Sequence, residues 1–357
     1  MIEVIVNRPS FEYDIHSLVK SFFPREDVQI HVQDTFTEDT ALRISVEFTD
    51  ETVSICLMEQ GEEKESGASV INYAERKETK NRLKCQLYQL LCAYTGQTLP
   101  WGTLTGIRPA KIAMGLIEQG MSNVETAEYM RNTYLASKEK VALSVMIANR
   151  ERYVLRNIDY KDGYSLYVGI PFCPSICLYC SFSSYPLERW RKRVDQYLDA
   201  LCKELDYVAD RFRDKKLNTV YIGGGTPTTL EPYQLDRLLT KIQSKFDTEH
   251  LQEFTVEAGR PDSITREKLQ VLLDHGIDRI SINPQTMNQK TLEIIGRRHT
   301  VDQVKEAFAL ARSMGFAHIN MDLIVGLPGE SYDDVEHTMK ELEAMAPDSV
   351  TVHSLAI

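Results

Sequence analysis

Three cysteines within eight residues constrain this chain more than any other feature of its sequence. Cys173, Cys177 and Cys180 follow the apolar run SLYVGI, with three residues between the first two and two between the last two. Such short spacings let three thiolates converge on one inorganic centre, as in iron–sulfur loops. A structural zinc site needs four closed ligands, and no second Cys-x2-Cys or His-x3-His pair follows. On a four-iron cluster, three thiolates leave one iron open to a small molecule, which favours a reactive centre.

The composition excludes several classes of protein. The 357 residues carry 41 Lys and Arg against 52 Asp and Glu, a formal net charge of −11, which disfavours binding to nucleic acid or to an anionic membrane surface. No apolar run is long enough to span a bilayer, and the first residues lack a signal peptide pattern, so a cytoplasmic protein is expected. A disulfide or a buried structural trio is the alternative for the three cysteines. The other four are scattered, which fits a reducing compartment better: Cys56, Cys85, Cys92 and Cys202.

Two domains are predicted, 1–160 and 161–357, with the boundary in the polar, turn-rich segment 157–163. The first is predicted to be a smaller α+β domain, whose role the sequence does not reveal. Its predicted strands are IEVIV, VQIHVQ, ALRISVEF and TVSICLME, and its predicted helices cover about 13–23, 70–94, 111–119, 124–134 and 138–155. Five basic residues of the long helix are interpreted as a solvated face, with a binding stripe as the alternative: Arg76, Lys77, Lys80, Arg82 and Lys84.

The second domain alternates strands and helices regularly. Strands are expected at 165–170, 218–222, 253–258, 279–283, 318–325 and 349–355, and helices at 188–212, 231–246, 265–275, 301–314 and 332–345. This alternation predicts an α/β fold made of parallel βαβ units with right-handed crossovers. Six strands suggest a partial barrel, because a complete one has eight.

Distinctive residues follow the predicted strands at their carboxyl ends, where parallel α/β structures collect reactive groups. The glycines of GGGTPT, residues 223–228, permit a close approach of backbone N–H groups to a ligand, with a tight turn as the alternative. Glu257 ends the third strand, where it could accept two hydroxyl hydrogen bonds or form an ordinary salt bridge. Gln285 comes from the fourth strand and can both donate and accept, and Asp322 lies in the fifth.

The segment YVGIPFCPSICLYCSF, with IPFC leading into the cysteines and Tyr179 just before the last of them, resembles the radical S-adenosyl-L-methionine (SAM) enzymes. It is most similar to the oxygen-independent coproporphyrinogen III oxidase family. The long N-terminal segment is similar to that of the HemZ-type coproporphyrinogen dehydrogenases in this family. The resemblance covers about residues 164–357. It implies an open six-stranded (β/α)6 barrel and a 4Fe-4S cluster held by the three cysteines.

The resemblance also implies a SAM site and a reaction. Family positions that contact SAM match Tyr167, Tyr179, Gly224, Gly225, Thr226, Glu257, Gln285, Arg297, Asp322 and Ala356. Some of these contact a second SAM in the resembled oxidase, so the number bound here stays open. The implied reaction converts propionates of coproporphyrinogen III to vinyl groups, giving protoporphyrinogen IX, through a 5′-deoxyadenosyl radical. It implies an electron donor such as a flavodoxin or ferredoxin, and it assigns no catalytic side chain.

Departures from the family pattern keep other functions open. Phe182 stands where the best-known oxidases have a fourth cysteine, and the related haem chaperones also carry Phe there. A haem-binding chaperone is therefore the alternative, with His299, His318 and His353 as candidate ligands, and a cluster protein that binds SAM without turnover is a third. The basic segment 189–193 could receive propionate groups or form an ordinary solvated helix start. Family members continue well beyond residue 357, so a missing C-terminal region is expected.

Overall fold

A computed structural model of the chain describes residues 1–33, 36, 40–159 and 162–355. The chain divides into two compact units, residues 1–157 and residues 158–357. Each unit has its own main sheet and its own hydrophobic core. None of the helices in the described ranges is at once long enough and apolar enough to cross a membrane.

The first unit is built on a five-stranded mixed sheet. Its strands are β1 (Ile2–Val6), β2 (Val28–Val32), β3 (Leu42–Phe48), β4 (Thr52–Glu59) and β5 (Glu62–Val70), in the spatial order β2-β1-β3-β4-β5. Its helices are α1 (Glu12–Phe22), α2 (Arg76–Thr95), α3 (Pro109–Glu118), α4 (Asn123–Tyr134) and α5 (Lys138–Leu155). Strand β1 runs parallel to β2 and β3, whereas β3, β4 and β5 pair in antiparallel fashion. The predicted α+β class of the N-terminal domain is confirmed.

One strand of this sheet, β5, was not predicted from the sequence. Strand β5 reads EEKESGASV, and its residues alternate between exposed and half-buried without a buried apolar set. It lies at the edge of the sheet, where backbone hydrogen bonds to β4 stabilise it and apolar burial contributes little. The predicted start of the long helix near residue 70 is wrong for the same reason, because β5 still occupies Val70 and α2 begins at Arg76.

The basic residues of α2 do not all share one environment. Arg76, Lys77 and Arg82 are exposed, as the interpretation of a solvated face requires. Lys84 is only 7% exposed, so that interpretation is wrong at this position. Its Nζ donates a hydrogen bond to Oγ1 of Thr105 at 2.9 Å, which replaces part of the water that the ammonium group loses.

The second unit contains a six-stranded parallel sheet, a separate pair of short strands and the helices that flank the sheet. Its strands are β6 (Gly163–Ile170), β7 (Phe172–Cys173), β8 (Tyr185–Pro186), β9 (Lys216–Gly224), β10 (Glu253–Gly259), β11 (Arg279–Gln285), β12 (His318–Val325) and β13 (Ser349–Ser354). Its helices are α6 (Leu187–Trp190), α7 (Val194–Arg211), α8 (Pro232–Lys245), α9 (Arg266–Asp274), α10 (Gln289–Ile294), α11 (Val301–Met314) and α12 (Tyr332–Met345). The main sheet has the order β13-β12-β11-β10-β9-β6, and β7 pairs with β8 beside it. This arrangement confirms the predicted partial barrel.

Apolar side chains on successive strands hold this sheet together. Ile222 on β9, Ile280 on β11 and Ile319 on β12 are fully buried in one continuous core, together with Leu198 of α7 and Leu269 of α9. Complete burial of such a side chain stabilises the fold by roughly 1.5–3 kcal/mol. Because neighbouring strands are parallel, this core brings their carboxyl ends to the same edge of the sheet.

Two strands become irregular at that edge. The pairing of β10 with β11 shifts between Glu257 and Gly259, and the pairing of β11 with β12 shifts between Ile282 and Gln285. Gln285 has φ 69°, a left-handed conformation that costs free energy in a residue with a Cβ atom. Bulges re-aim side chains, and strained backbone of this kind concentrates at functional sites. The irregularities therefore mark the edge where the predicted site lies.

Candidate functional site

The three cysteines lie in the loop that follows β6. Cys173 ends the short strand β7, and the backbone N–H of Cys180 donates to the carbonyl oxygen of Cys177 at 3.0 Å. All three are free thiols, which contradicts the disulfide alternative. Burial raises the pKa of the Cys173 thiol, and the charges of Cys177 and Cys180 raise it further. Cys177 and Cys180 are therefore both close enough to influence the Cys173 thiol.

The cysteine loop is anchored to the segment that follows α10. The N–H of Leu178 donates to the carbonyl oxygen of Ile295 at 3.0 Å. The hydroxyl of Ser175 donates to the carbonyl oxygen of Gly296 at 2.9 Å. Two contacts across more than a hundred residues fix the loop on the carboxyl edge of the sheet, next to the ends of β10 and β11.

The predicted glycine loop after β9 touches the first cysteine. A Cβ atom on Gly225 would stand 2.9 Å from Sγ of Cys173 and 2.7 Å from the carbonyl oxygen of Phe172, so only glycine fits here without a shift. The N–H of Thr226 donates to the same carbonyl oxygen at 2.8 Å, and its hydroxyl donates to Sγ of Cys173 at 3.6 Å. These contacts pack the glycine loop directly against the cysteine loop.

These residues fit an iron–sulfur cluster better than a single ion. Among the residues that the structure describes, no three His, Cys, Asp or Glu side chains converge closely enough to hold one metal ion. In a four-iron cluster each thiolate binds a different iron, so the sulfurs stand apart around a larger group. Three free thiols on one loop, with the glycine loop pressed against Cys173, provide such a donor set.

Glu257, at the end of β10, lies in a group of ionisable and aromatic side chains. The hydroxyl of Tyr221 on β9 donates to Oε1 of Glu257, and the Tyr221 ring stacks on that of Tyr167 with centroids 5.9 Å apart. Burial raises the pKa of Glu257 to about 7, the Tyr221 hydrogen bond lowers it, and the charge of Asp322 raises it. The predicted residues Tyr167, Glu257 and Asp322 thus come together through Tyr221, which the sequence analysis missed.

Two buried polar groups at the same edge have no hydrogen-bond partner among the described residues. The Oε1 atom of Gln285 accepts no hydrogen bond and the Nε atom of Arg297 donates none. Both residues are buried, with exposed fractions of 8% and 7%. Nη1 of Arg297 donates to the carbonyl oxygen of Asn283. Burial raises the pKa of Tyr179 to about 12, while the charge of Arg297 lowers it and that of Cys177 raises it, so Tyr179 lies near both. Buried polar atoms are normally paired, so these two atoms point to a polar ligand at this edge.

The remaining predicted site residues are distributed as follows. Asp322 is half-buried on β12 and accepts a hydrogen bond from Nδ2 of Asn320 at 2.7 Å. Ala356 lies outside the described residues. The exposed side chain of Phe182 follows the cysteine loop. The assignment of each residue to SAM or to the cluster stays a prediction.

The candidate haem ligands do not share a site. His299 is completely buried, and neither ring nitrogen has a hydrogen-bond partner in the part of the chain that the structure describes. Burial lowers the pKa of His299 to about 4. His318 begins β12 at the opposite edge from the cysteines. His353 is exposed on β13, the outermost strand of the sheet.

The structure also reveals a functional candidate that the sequence did not suggest. Arg260 follows β10, is 3% exposed and directs Nη1 to within 3.8 Å of Sγ of Cys177. In the sequence it appears as one residue of the turn GRPD, and turn-formers around it give no reason to expect burial. Tyr221 lies beside Tyr167 because β6 and β9 pair with Ile170 opposite Gly224, whereas aligning the carboxyl ends of the two predicted strands places Thr219 there.

Comparison with known proteins agrees with this geometry. Residues 167–342 match the profile of the radical SAM superfamily. The second unit is therefore a radical SAM domain, and the chain belongs to a superfamily whose members use a 4Fe-4S cluster and SAM.

More specific similarities lie within one branch of the superfamily. The chain is 42% identical over 284 residues to the oxygen-independent coproporphyrinogen-III oxidase-like protein HemZ of Bacillus subtilis, covering 78% of this chain and 57% of that protein. It is 38% identical over 194 residues to the haem chaperone HemW of Bacillus subtilis, covering 54% of this chain and 50% of that protein. Among solved structures, coproporphyrinogen III oxidase (HemN) of Escherichia coli aligns with a TM-score of 0.51 and 30% identity, covering 57% of this chain and 47% of that one. The predicted family is confirmed, and the chain spans about half the length of the curated relatives it matches.

Proposed function

We propose that this protein is a radical SAM oxidoreductase that converts propionates of coproporphyrinogen III to vinyl groups without oxygen, giving protoporphyrinogen IX. The observation that carries the proposal is the meeting of three free thiols with unpaired buried polar atoms at one sheet edge. Gln285 and Arg297 supply those atoms beside the loop of Cys177. The similarity to proteins named as oxidases or as oxidase-like supports the substrate.

Each group at the edge has a distinct task in this proposal. Cys173, Cys177 and Cys180 would hold three irons of the cluster, which together with SAM would supply a radical able to remove a hydrogen atom from the propionate side chain. Loss of carbon dioxide, and of one electron to an acceptor, would then leave the vinyl group. The glycine loop would hold the methionine end of SAM, and Glu257 would accept hydrogen bonds from the ribose hydroxyls. No protein acid or base is required, so the side chains act by positioning the substrate and excluding water.

Glu257 is the stronger acceptor for two hydroxyl groups when it is ionised. Burial raises its pKa to about 7, and the hydrogen bond from Tyr221 opposes that rise. Tyr221 therefore keeps the carboxylate available as an acceptor, while its ring is held by the stack on Tyr167.

The lining of a cavity beside the cysteine loop is suited to binding an anionic substrate. It measures about 730 Å³ and is lined by Ser175, Arg189, Arg297 and Arg298, among others, with Glu188 and Glu293 as the acidic residues. Of the basic segment 189–193, Arg189 lines this cavity. Arg191 instead pairs with Glu231, with 3.7 Å between Nη1 and Oε1. Arg189 and Arg298 are thus the residues we assign to propionate binding. A flavodoxin or ferredoxin would donate the electron.

The test is anaerobic reconstitution of the chain with iron and sulfide, followed by SAM and dithionite, with and without coproporphyrinogen III. The expected result is 5′-deoxyadenosine together with a porphyrinogen product that has lost two carboxyl groups. The Escherichia coli oxidase serves as the positive control and C177A as the negative control. Formation of 5′-deoxyadenosine with intact coproporphyrinogen III would contradict the proposed substrate.

Haem binding is the second candidate, because the chain is 38% identical to a haem chaperone but 33% identical to a Salmonella oxidase over about the same residues. Phe182, 74% exposed, agrees with it, since the chaperones carry Phe at that position. Haem added to the same reconstituted protein distinguishes the two functions. A saturable shift of the Soret band without decarboxylation would favour haem binding.

A further inference from the structure

Arg260 occupies a buried position that its surroundings determine closely. It follows β10 and is 3% exposed. Its Nε and Nη2 atoms donate to Oδ1 and Oδ2 of Asp262 at 3.1 and 3.2 Å. This two-point pairing fixes the plane of the guanidinium group, because both donors engage one carboxylate.

The other edge of the same guanidinium group contacts the cysteine loop. Nη1 donates to the carbonyl oxygen and the hydroxyl of Ser175 at 3.3 and 3.1 Å, and it lies 3.8 Å from Sγ of Cys177. Ser175 in turn donates to the carbonyl oxygen of Gly296. Arg260 therefore connects the end of β10 with the loop that carries the thiols.

We propose that Arg260 is a positioning residue for the iron–sulfur cluster. It holds the cysteine loop through Ser175 and places a buried positive charge and a hydrogen-bond donor beside the Cys177 sulfur. Positive charge and hydrogen bonds at cluster sulfurs favour the reduced state and so raise the reduction potential. The inference rests on the cluster in the proposed function, but not on the porphyrinogen substrate.

The test compares reconstituted wild-type protein with R260Q and R260K. Iron and sulfide content and the midpoint potential of the cluster, measured by a dye-coupled redox titration, are the readouts. R260Q is expected to weaken cluster retention by roughly tenfold or more and to shift the potential to a more negative value. R260K keeps the charge but loses the two-point pairing, so its potential should lie nearer to that of the wild type while its retention stays weak.

Controls separate this role from a general loss of structure. R279Q removes an arginine at the amino end of β11, whose Nε lies 3.5 Å from Glu253, and should change neither readout. Wild-type potential and wild-type retention in R260Q would overturn the proposal. Because neither readout involves porphyrinogen, absent decarboxylation would refute the proposed reaction and leave the role of Arg260 standing.

The first unit carries an independent observation, a cavity of about 710 Å³ beside α2 and α3. Its charged lining consists of four lysines and one aspartate: Lys77, Lys80, Lys84, Lys111 and Asp14. Four positive charges against one negative charge leave an excess of three, in a chain whose net charge is −11. Small-molecule sites commonly measure about 300–1,000 Å³, so the cavity is large enough for a metabolite.

The buried Lys84 gives this excess charge a specific centre. Its Nζ lies 4.0 Å from Oδ1 of Asp14, which is also 3.6 Å from Nζ of Lys80. One carboxylate thus serves two lysines, and Thr105 is a neutral acceptor. A buried ammonium group is stabilised by a close counter-charge. We infer that the cavity binds a small polyanion that carries phosphate or carboxylate groups.

Calorimetric titration of the full chain tests this inference, with pyrophosphate and citrate as separate probes for the two anion classes. Saturable binding of either probe is expected, with an affinity at least about tenfold lower in K84M, because a charged hydrogen bond at a buried site is lost. The matched control is K64M, which removes an exposed lysine paired with Glu62 on β5. If K84M does not fold, K111M at the same cavity replaces it. Absence of saturable binding of both probes, or an equal loss in K64M, would overturn the inference.

Discussion

At the scale of single residues, the site depends on close contacts and on unpaired polar atoms more than on any one reactive group. Gly225 lets the backbone after β9 approach Cys173, and Thr226 donates to the same sulfur. Gln285 and Arg297 each have a buried polar atom that finds no hydrogen-bond partner within residues 1–33, 36, 40–159 and 162–355. Such features lower the stability of the protein alone and are retained where a ligand completes them.

The contact of Gly225 predicts a specific sensitivity. G225A places a methyl group 2.9 Å from Sγ of Cys173 and 2.7 Å from the carbonyl oxygen of Phe172, so one of the two loops must shift. Reconstituted G225A should therefore retain much less iron per chain than the wild type, by roughly tenfold in affinity. G115A is the matched control, because a Cβ on Gly115 meets nothing within 4 Å. Equal iron content in both variants would show that the contact does not matter.

The buried Glu257 predicts a pH-dependent stability. Its pKa rises from 4.5 to about 7 on folding, so the folded state holds the proton more tightly than the unfolded state does. The stability that this provides is present below pH 4.5 and is lost as the pH rises through about 7. E257Q cannot ionise and should unfold like the wild type near pH 4.5, but be more stable at pH 8 by up to about 3 kcal/mol.

Urea unfolding of the metal-free proteins at several pH values measures this difference. Y221F is the companion variant, because it removes the hydrogen bond that lowers the pKa of Glu257. As the pH is lowered, the free energy of unfolding of Y221F should begin to rise at a higher pH than that of the wild type. Parallel pH profiles for wild type and E257Q would mean that Glu257 is not strained by burial.

At the scale of secondary structure, the elements of the second unit were readable because each strand is a short apolar run between turn residues. The six parallel strands lie close to their predicted positions, and so do the helices α8, α9, α11 and α12. Helix α10 was not predicted, and the single helix predicted at 188–212 is divided into α6 and α7. Strand β5 was not readable, because it is a polar edge strand held by backbone pairing. The bulges near Gly259 and Gln285 were also invisible in the sequence. For this reason the burial of Arg260 and its approach to Cys177 could not be foreseen, whereas the cysteine spacing announced the loop itself.

The bulge of β11 predicts that one substitution, Q285G, leaves the stability of the protein intact but weakens SAM binding. Gln285 has φ 69°, which glycine adopts without steric cost, so Q285G should be no less stable than the wild type and could gain about 1 kcal/mol. The same change removes a side chain whose Oε1 has no partner, so the affinity of the reconstituted protein for SAM should fall by roughly tenfold. Thermal unfolding and equilibrium dialysis measure the two effects. A large loss of stability together with unchanged SAM affinity would assign Gln285 a purely structural role.

At the scale of the whole molecule, two units divide the properties of the chain. All of the described site residues lie in the second unit, which the superfamily profile matches from residue 167 to 342. The first unit has a separate core and a lysine-lined cavity of its own. The similarity to HemZ of Bacillus subtilis extends over 78% of the chain, beyond the radical SAM domain, so the first unit shares in that relationship.

The most direct measurement is electron paramagnetic resonance of the anaerobically reconstituted, dithionite-reduced protein before and after addition of SAM, combined with iron analysis. We predict about four irons per chain and a cluster signal that changes when SAM binds, because three cysteines leave one iron without a protein ligand. In C177A the signal should be lost, whereas in C85A, on helix α2, it should persist. A protein that takes up zinc or no metal, or a cluster signal that SAM leaves unchanged, would contradict the account.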